Sequence, residues 1–441
     1  MAEKSESNLK TKLKRSLGLW ELTLTGIGII LGAGIYALIG KAAGIAGNAT
    51  WISFLIAGII SAFTALSYAE LSSMFPRSGA EYVYVGKTFG RRLAFLVGWM
   101  IIIGTVLAAA TVSLGFAGYL SVFLPLLPLT LAAAGLIALS TLINVYGVKE
   151  SATIGAIFSI VEAVGLILII IIGLPYLGSV DYFQAATDGT FNLFGAAALV
   201  FFAYIGFESI PRLSEEAKEP EKNVPTATLL SLAISTVIYV LVAIVAVSVV
   251  PWEALASSNA PLADVANVVF GGNMRTVLVI FALFATANTV LLMLVTDARL
   301  LYGMTESGIL PATLGSVHKK RKTPWIAALA IGALSLALVF IGDIVFLANS
   351  TNFTVLVTFA TINLSVIWLS YTEPTLRRPF ISPRAGRLPV TALMGAATSI
   401  LLLCSTGIVT IISGLLVALI GFIVYLFLNR GSKAPTQGVK A

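Results

Sequence analysis

The chain has 441 residues, 58% hydrophobic and only 11% charged. Soluble domains carry about 25% charged residues, so this composition leaves too little polar surface for two or three soluble globules of this length. The net charge is +7, but the basic residues lie between apolar runs and are not gathered in a patch, which argues against a nucleic-acid partner.

The apolar runs last about 20 residues, which suits a hydrocarbon core of about 30 Å. Barrel strands would instead show weak alternation over about ten residues. Twelve segments are expected, at 18–41, 51–74, 93–120, 128–146, 151–173, 193–214, 226–250, 275–303, 324–341, 352–371, 389–404 and 406–428. The fold class is an all-α polytopic membrane protein. With the N-terminus inside, every Lys and Arg except Lys41 and Arg275 falls on the cytoplasmic side. That is the positive-inside pattern, and one missed helix would scramble it. It places both termini in the cytoplasm and the chain in the cell membrane, with some attraction to anionic lipid. The basic start runs straight into a segment too long for a signal-peptide core.

Segment one contains GIGIILGAGIY at residues 26–36. A glycine weakens a helix by about 1 kcal/mol relative to alanine, and Gly26, Gly28, Gly32 and Gly34 fall mid-span. Backbone leaves the helix at bilayer depth only where protein or a water-filled cavity surrounds it, and transporters use such breaks as substrate sites. The amides of Ala33, Gly34 and Ile35 then open the outer half-helix. Their unsatisfied N–H groups and partial positive charge suit a carboxylate. The plain alternative is close helix packing, since Gly28-xxx-Gly32 is also a contact motif.

Residues 75–92, after segment two, fit a short interfacial helix with Tyr82, Tyr84 and Phe89 at headgroup level. In segment five, Glu162 lies 12 residues past Glu150, about 18 Å deep at 1.5 Å per residue. A mid-membrane carboxyl that gains and loses a proton is a coupling device. It could equally ligate Na⁺, or stay neutral and hydrogen-bonded to another helix. The outer loop 176–191 carries Asp181 and Asp188.

Segment six holds the second break, FFAYIGFESIP at 201–211, with Gly206 at its centre and Pro211 limiting continuation. Unwinding frees the carbonyls of Phe202, Ala203 and Ile205 to accept from an ammonium. Together the two breaks offer both half-sites of a zwitterionic amino acid. Phe202, Tyr204 and Phe207 line the path or simply pack. Glu208 is acidic at membrane depth, where such residues are costly and usually functional. It contacts the ammonium indirectly, binds a cationic side chain, titrates, or caps freed amides. The run EEAKEPEKNVP (215–225) is a solvated loop or helix end by default, with Pro225 starting segment seven.

Segments one and six are five apart, the offset of two inverted five-helix repeats. They would span about 18–175 and 190–373, with accessory helices over 374–430 and cytoplasmic tails at 1–17 and 431–441. Asp297 and Arg299 in segment eight, and Glu70 in segment two, are expected in gate or structural pairs. His318 is a solvated loop residue. Cys404 cannot form an intrachain disulfide and takes a packing role. There is no metal-ligand cluster, no cofactor motif and no supported nucleophile–base pair, so no enzyme is expected.

These residues resemble the amino acid–polyamine–organocation superfamily of transporters over nearly the whole chain. The marks are GIGIILGAGIY, YAELSSMFPRSGAEYVY, FFAYIGFES with EEAKEPEKNVP, TDARLLYGMTESGILP and EPTLRRPF. The resemblance implies the five-plus-five inverted-repeat fold shared with neurotransmitter-sodium symporters. Substrate then sits between unwound helices one and six, at the Gly32 and Gly206 breaks. It implies that Ile30 supplies a carbonyl near the ammonium and that Ala33 and Gly34 supply amides for the carboxylate. Phe202 and Ile205 flank or gate the ammonium, and Met293 lines the side-chain pocket. Four positions depart from relatives. Glu162 stands where proton-coupled relatives place a lysine. Ala287 and Asn288 stand where sodium-dependent relatives often carry hydroxyls, although Asn288 could still ligate an ion. Ala33 replaces a frequent serine.

The expected function is secondary active transport of an amino acid by alternating access, with a proton as co-substrate through Glu162. The alternatives are ion-independent exchange, carriage of cationic amino acids or polyamines favoured by Glu208, and a sensor or channel on the same scaffold.

Overall fold

The computed structural model describes residues 15, 17–77, 80–146, 152–186, 190–306, 310–318 and 323–430. Most of both tails, Lys149, Glu150, Asp188 and the run 319–322 lie outside these. Among the described residues the chain is helical, with no strand beyond two isolated bridges.

The first apolar segment forms two helices, α1 (Leu19–Leu31) and α2 (Ala33–Ala46), parted at Gly32. Then come α3 (Thr50–Met74), α4 (Ala80–Phe89), α5 (Arg91–Leu120), α6 (Leu129–Tyr146) and α7 (Ala152–Gly173). The sixth segment starts as α8 (Thr190–Val200) and continues as short 3-10 turns to Leu213. It is followed by α9 (Pro220–Val249), the short α10 (Trp252–Ser257) and α11 (Pro261–Phe270), α12 (Gly272–Glu306), α13 (Trp325–Val339), α14 (Ile344–Thr372), α15 (Val390–Ser405) and α16 (Ile408–Arg430).

Eight helical stretches of the described residues are long and apolar enough to cross a membrane, and shorter apolar helices of 10–17 residues accompany them. The architecture is that of a polytopic helical membrane protein.

Two helices start earlier than their apolar runs. α9 begins at Pro220 and contains Pro225. Proline suits the first helical position, where its missing N–H is not needed, and Glu219 turns the chain into the helix at φ 44°. The run 215–225 is therefore partly helix, and Pro225 does not open it. α14 begins at Ile344 because Asp343 Oδ1 accepts from Val345 N at 2.9 Å and Phe346 N at 3.0 Å. That is a side-chain N-cap, and the polar Asn349–Asn352 stretch hides the helix from a hydropathy count.

α3 packs most extensively on α9, α5 on α12 and α14, and α1 on α9 and α7. Lipid supplies no hydrophobic drive between helices, so small residues that permit close approach carry the interfaces. α4 forms as expected, but Tyr84 is fully buried against Tyr68 and Phe75, not at headgroup level. Cys404 is exposed on α15 and packs no core.

Two tethers hold the end of the bundle that carries α4. Glu70 of α3 is fully buried. It accepts from Arg378, from Arg384 Nη2 at 2.7 Å, and from Ser382 N and Oγ at 3.0 and 2.6 Å. One carboxylate thus pins the loop between α14 and α15. Glu70 thus takes the structural pair expected of it, with Arg378 and Arg384 as partners. The second tether is a parallel bridge. Leu17 N donates to Glu216 O at 3.1 Å, and Lys218 N donates to Leu17 O at 2.7 Å.

Candidate functional site: a cavity between two broken helices

Both expected breaks are present, and they meet. Gly32 leaves the helix at ψ −154°. In the second break, α8 gives way to a 3-10 turn at Phe201–Tyr204, Ile205 is extended, and Gly206 has φ 138°. A Cβ on Gly206 would lie 2.8 Å from the Ile29 side chain. Only glycine combines that backbone with that proximity.

The polar groups freed by unwinding are claimed by neighbouring helices. Asn352 Nδ2, on α14, donates to Ala198 O at 2.6 Å and Leu199 O at 3.3 Å, closing the end of α8. The Tyr239 hydroxyl, on α9, contacts Ala203 O at 2.9 Å and also Ile30 O. Glu208 Oε2 accepts from Gly206 N at 2.8 Å. Ile205 N donates to Phe202 O at 3.3 Å. Two carbonyls expected to face an ammonium, those of Ile30 and Ala203, therefore already share one hydroxyl. That hydroxyl has a single proton for two acceptors, and each carbonyl oxygen has two lone pairs.

Between the breaks lies a small cavity of about 20 Å³. Ile29, Ile30, Gly32 and Gly34 line it from the first break, and Phe202, Ala203 and Ile205 from the second. Ala108 and Val112 of α5 and Thr289 and Met293 of α12 complete the wall. Of the sequence-derived candidates, Ile30, Gly32, Gly34, Phe202, Ala203, Ile205 and Met293 are thus gathered at one place. Ala33 and Ile35 lie in the first turn of α2, which no side chain caps; the Ile35 side chain points into the core. Gly206 and Glu208 belong to the break but not to the lining. Tyr204 and Phe207 pack. The Tyr204 hydroxyl donates to Phe54 O at 2.7 Å, and Phe207 sits against Tyr68 and Phe359.

Glu162 of α7 is 1% exposed. Asn288 Nδ2 reaches its Oε1 at 3.4 Å, a long bond, while Oε2 has no partner among the described residues. The two residues expected to couple an ion are therefore neighbours. Tyr36 donates to the Glu162 backbone carbonyl at 3.2 Å.

Thr289, Ala108, Val112, Tyr239 and Asn352 were not singled out by sequence. Thr289 had a signal: it lies four residues before Met293, on the same helix face. Tyr239 was visible only as a polar group in the middle of an apolar segment, and Asn352 only as the polar first residue of another.

Replacing Tyr239 with phenylalanine keeps the ring and removes the shared donor. It is expected to lower stability by about 1–3 kcal/mol through unsatisfied buried carbonyls, read as a lower melting temperature in detergent. An unchanged melting temperature would show that the Ile30 and Ala203 carbonyls do not depend on Tyr239.

Comparison with known proteins follows the same lines. A family profile described as amino acid permease matches residues 17–437. The branched-chain amino acid permease BcaP of Bacillus subtilis is 33% identical over 438 residues, covering 95% of this chain and 94% of the relative. The methylthioribose transporter of Bacillus subtilis is 30% identical over 445 residues, covering 97% and 96%. Human cationic amino acid transporter 4 is 31% identical over 392 residues, covering 83% of this chain and 61% of the relative. With the family profile spanning nearly all of it, the chain belongs to the amino acid permeases of the amino acid–polyamine–organocation superfamily.

Proposed function

We propose that this permease carries a neutral amino acid with an apolar side chain across the cell membrane, by alternating access and coupled to a proton. In this reading twelve helices span the bilayer, α1–α7 and α8–α14 are inverted five-helix repeats, and both termini are cytoplasmic. The carrying observation is the cavity at the meeting point of the two breaks. The uncapped first turn of α2 offers amides to a carboxylate. The Ile30 and Ala203 carbonyls offer acceptors to an ammonium, which takes over lone pairs that the single Tyr239 proton cannot satisfy. The rest of the wall is Ile, Val, Ala, Phe and Met, with Thr289 adding one hydroxyl.

A cationic substrate fits less well. Glu208, the nearest acid to the second break, already accepts from Gly206 N, and the charge of Arg212 acts on it. The likeness to a branched-chain permease supports the neutral reading. A thermal-shift screen tests it. L-leucine, L-isoleucine or L-valine should stabilise the protein. Stabilisation by spermidine or methylthioribose alone would remove the zwitterion site.

Coupling falls to Glu162, whose second oxygen is buried without a partner among the described residues and whose neighbour Asn288 can donate to it or turn its carbonyl toward an ion. In proteoliposomes an inward proton gradient should drive L-leucine uptake by the wild type. Glu162→Gln should lose the gradient response yet keep counterflow. Equal drive in both proteins would dismiss Glu162 as the coupling group. Uptake that requires preloaded substrate and ignores the gradient would make the protein an exchanger.

A further inference from the structure

Among the described residues the cavity wall carries one side-chain hydroxyl, that of Thr289 on α12. It stands against the first break: a Cβ on Gly32 would lie 2.7 Å from Thr289 Oγ1. Gly32 lies midway between Ile30 and Gly34 in sequence, and a Cβ on Gly34 would lie 2.5 Å from Ala203 Cα. The Tyr239 hydroxyl is within hydrogen-bond reach of both Ile30 O and Ala203 O. One hydroxyl from α12 and two carbonyls, one from each break, therefore border the same short stretch of backbone.

The state of the Thr289 hydroxyl follows from its partner. Oγ1 donates to Ala285 O at 2.9 Å, one turn back on α12. A hydroxyl has one proton and two acceptor lone pairs. With the proton engaged inside the helix, Thr289 presents an acceptor to the break and no donor. A carboxylate there would meet lone pairs, whereas an ammonium would find a partner. A primary ammonium has three N–H donors. In the transport reading Ile30 O and Ala203 O take two of them. Phe202 O, the next carbonyl back, already accepts from Ile205 N at 3.3 Å. A charged donor left without an acceptor beside apolar side chains is costly.

We propose that Thr289 Oγ1 is the third acceptor for the substrate ammonium, and that it restricts the carrier to primary amino groups. This deepens the transport reading of the central cavity and rests on it. An N-methyl amino acid, or an imino acid such as proline, keeps only two N–H donors. One of the three acceptors is then left without a donor, whichever way the ammonium turns. Thr289 thus selects at the α-nitrogen, while the apolar wall selects at the side chain.

The test compares unlabelled L-leucine with N-methyl-L-leucine as competitors of labelled L-leucine counterflow in proteoliposomes. The wild type should prefer L-leucine by about tenfold or more, the effect of one hydrogen bond to a charged group. Thr289→Val keeps the shape of the side chain and removes the acceptor. It should weaken L-leucine by about the same factor and leave N-methyl-L-leucine little changed, so that the two ligands become alike. Thr289→Ser keeps the acceptor and should keep the discrimination. A purely structural role for Thr289 would weaken both ligands equally in Thr289→Val. That result would overturn the proposal. So would an unchanged L-leucine affinity, which would leave the third N–H to a carbonyl of the second break such as that of Ile205. If Thr289→Val does not insert, Thr289→Ala removes the same oxygen and decides. A wild type with neither counterflow nor a thermal shift on adding L-leucine would instead remove the transport reading itself.

Discussion

Glu70→Ala is expected to be the most destabilising single substitution in the protein, costing about 3–5 kcal/mol, the range found when one partner of a buried ion pair is removed. Arg378, whose side chain is 6% exposed, and Arg384 both end on this carboxylate. Without it, Arg378 keeps Leu369 O at 2.8 Å, Glu373 O at 3.4 Å and the weak acceptor Met74 Sδ at 3.7 Å. The loop between α14 and α15 then keeps on α3 only the bond from Phe380 N to Ser73 Oγ at 3.1 Å and the Arg378 contact with Met74 Sδ. The measurement is the melting temperature in detergent, with Glu221→Ala as the comparison. Glu221 pairs with Arg377, whose side chain is 80% exposed, and exposed pairs contribute little. Similar melting temperatures for the two variants would mean that the buried network does not hold the loop.

Gly206→Ala should have the largest effect on transport for the smallest change in side chain. An alanine at φ 138° is held in a sparsely populated backbone region, which costs of order 1–3 kcal/mol. Its methyl would also press on Ile29, which lines the cavity on the other break. Overpacking adds about 1–3 kcal/mol where neighbours cannot shift. The expected result is L-leucine counterflow reduced at least tenfold in a variant that still inserts. Gly272→Ala provides the contrast, since a Cβ there meets nothing within 4 Å. Wild-type counterflow in Gly206→Ala would show that the break tolerates a side chain and is not the tight junction described.

Much of this was legible in the chain before any fold was known. Runs of apolar residues mark helices in lipid because the backbone has no other way to satisfy itself there. Glycines in the middle of two such runs mark the places where that rule is suspended. What stayed hidden were the groups that compensate for the suspension. Tyr239 and Asn352 lie 36 and 154 residues from the carbonyls they serve at Ala203 and Ala198, and no local pattern carries such a distance. The same holds for Glu70, whose partners lie more than 300 residues away in sequence. Glu208 was ambiguous for a different reason. A carboxylate beside a broken helix can serve a ligand or the break itself, and only geometry separates the two. Here one of its oxygens serves the break.

The parallel bridge between Leu17 and the stretch Glu216–Lys218 has a mechanical consequence. Each broken helix, taken alone, is a rod with a joint in the middle and can bend independently. Backbone hydrogen bonds splice the lower rod of the first to the strand of chain leaving the second. Displacing either stretch relative to the other would strain both bonds, so the chain entering the first broken helix and the chain leaving the second are tied together at this end of the bundle.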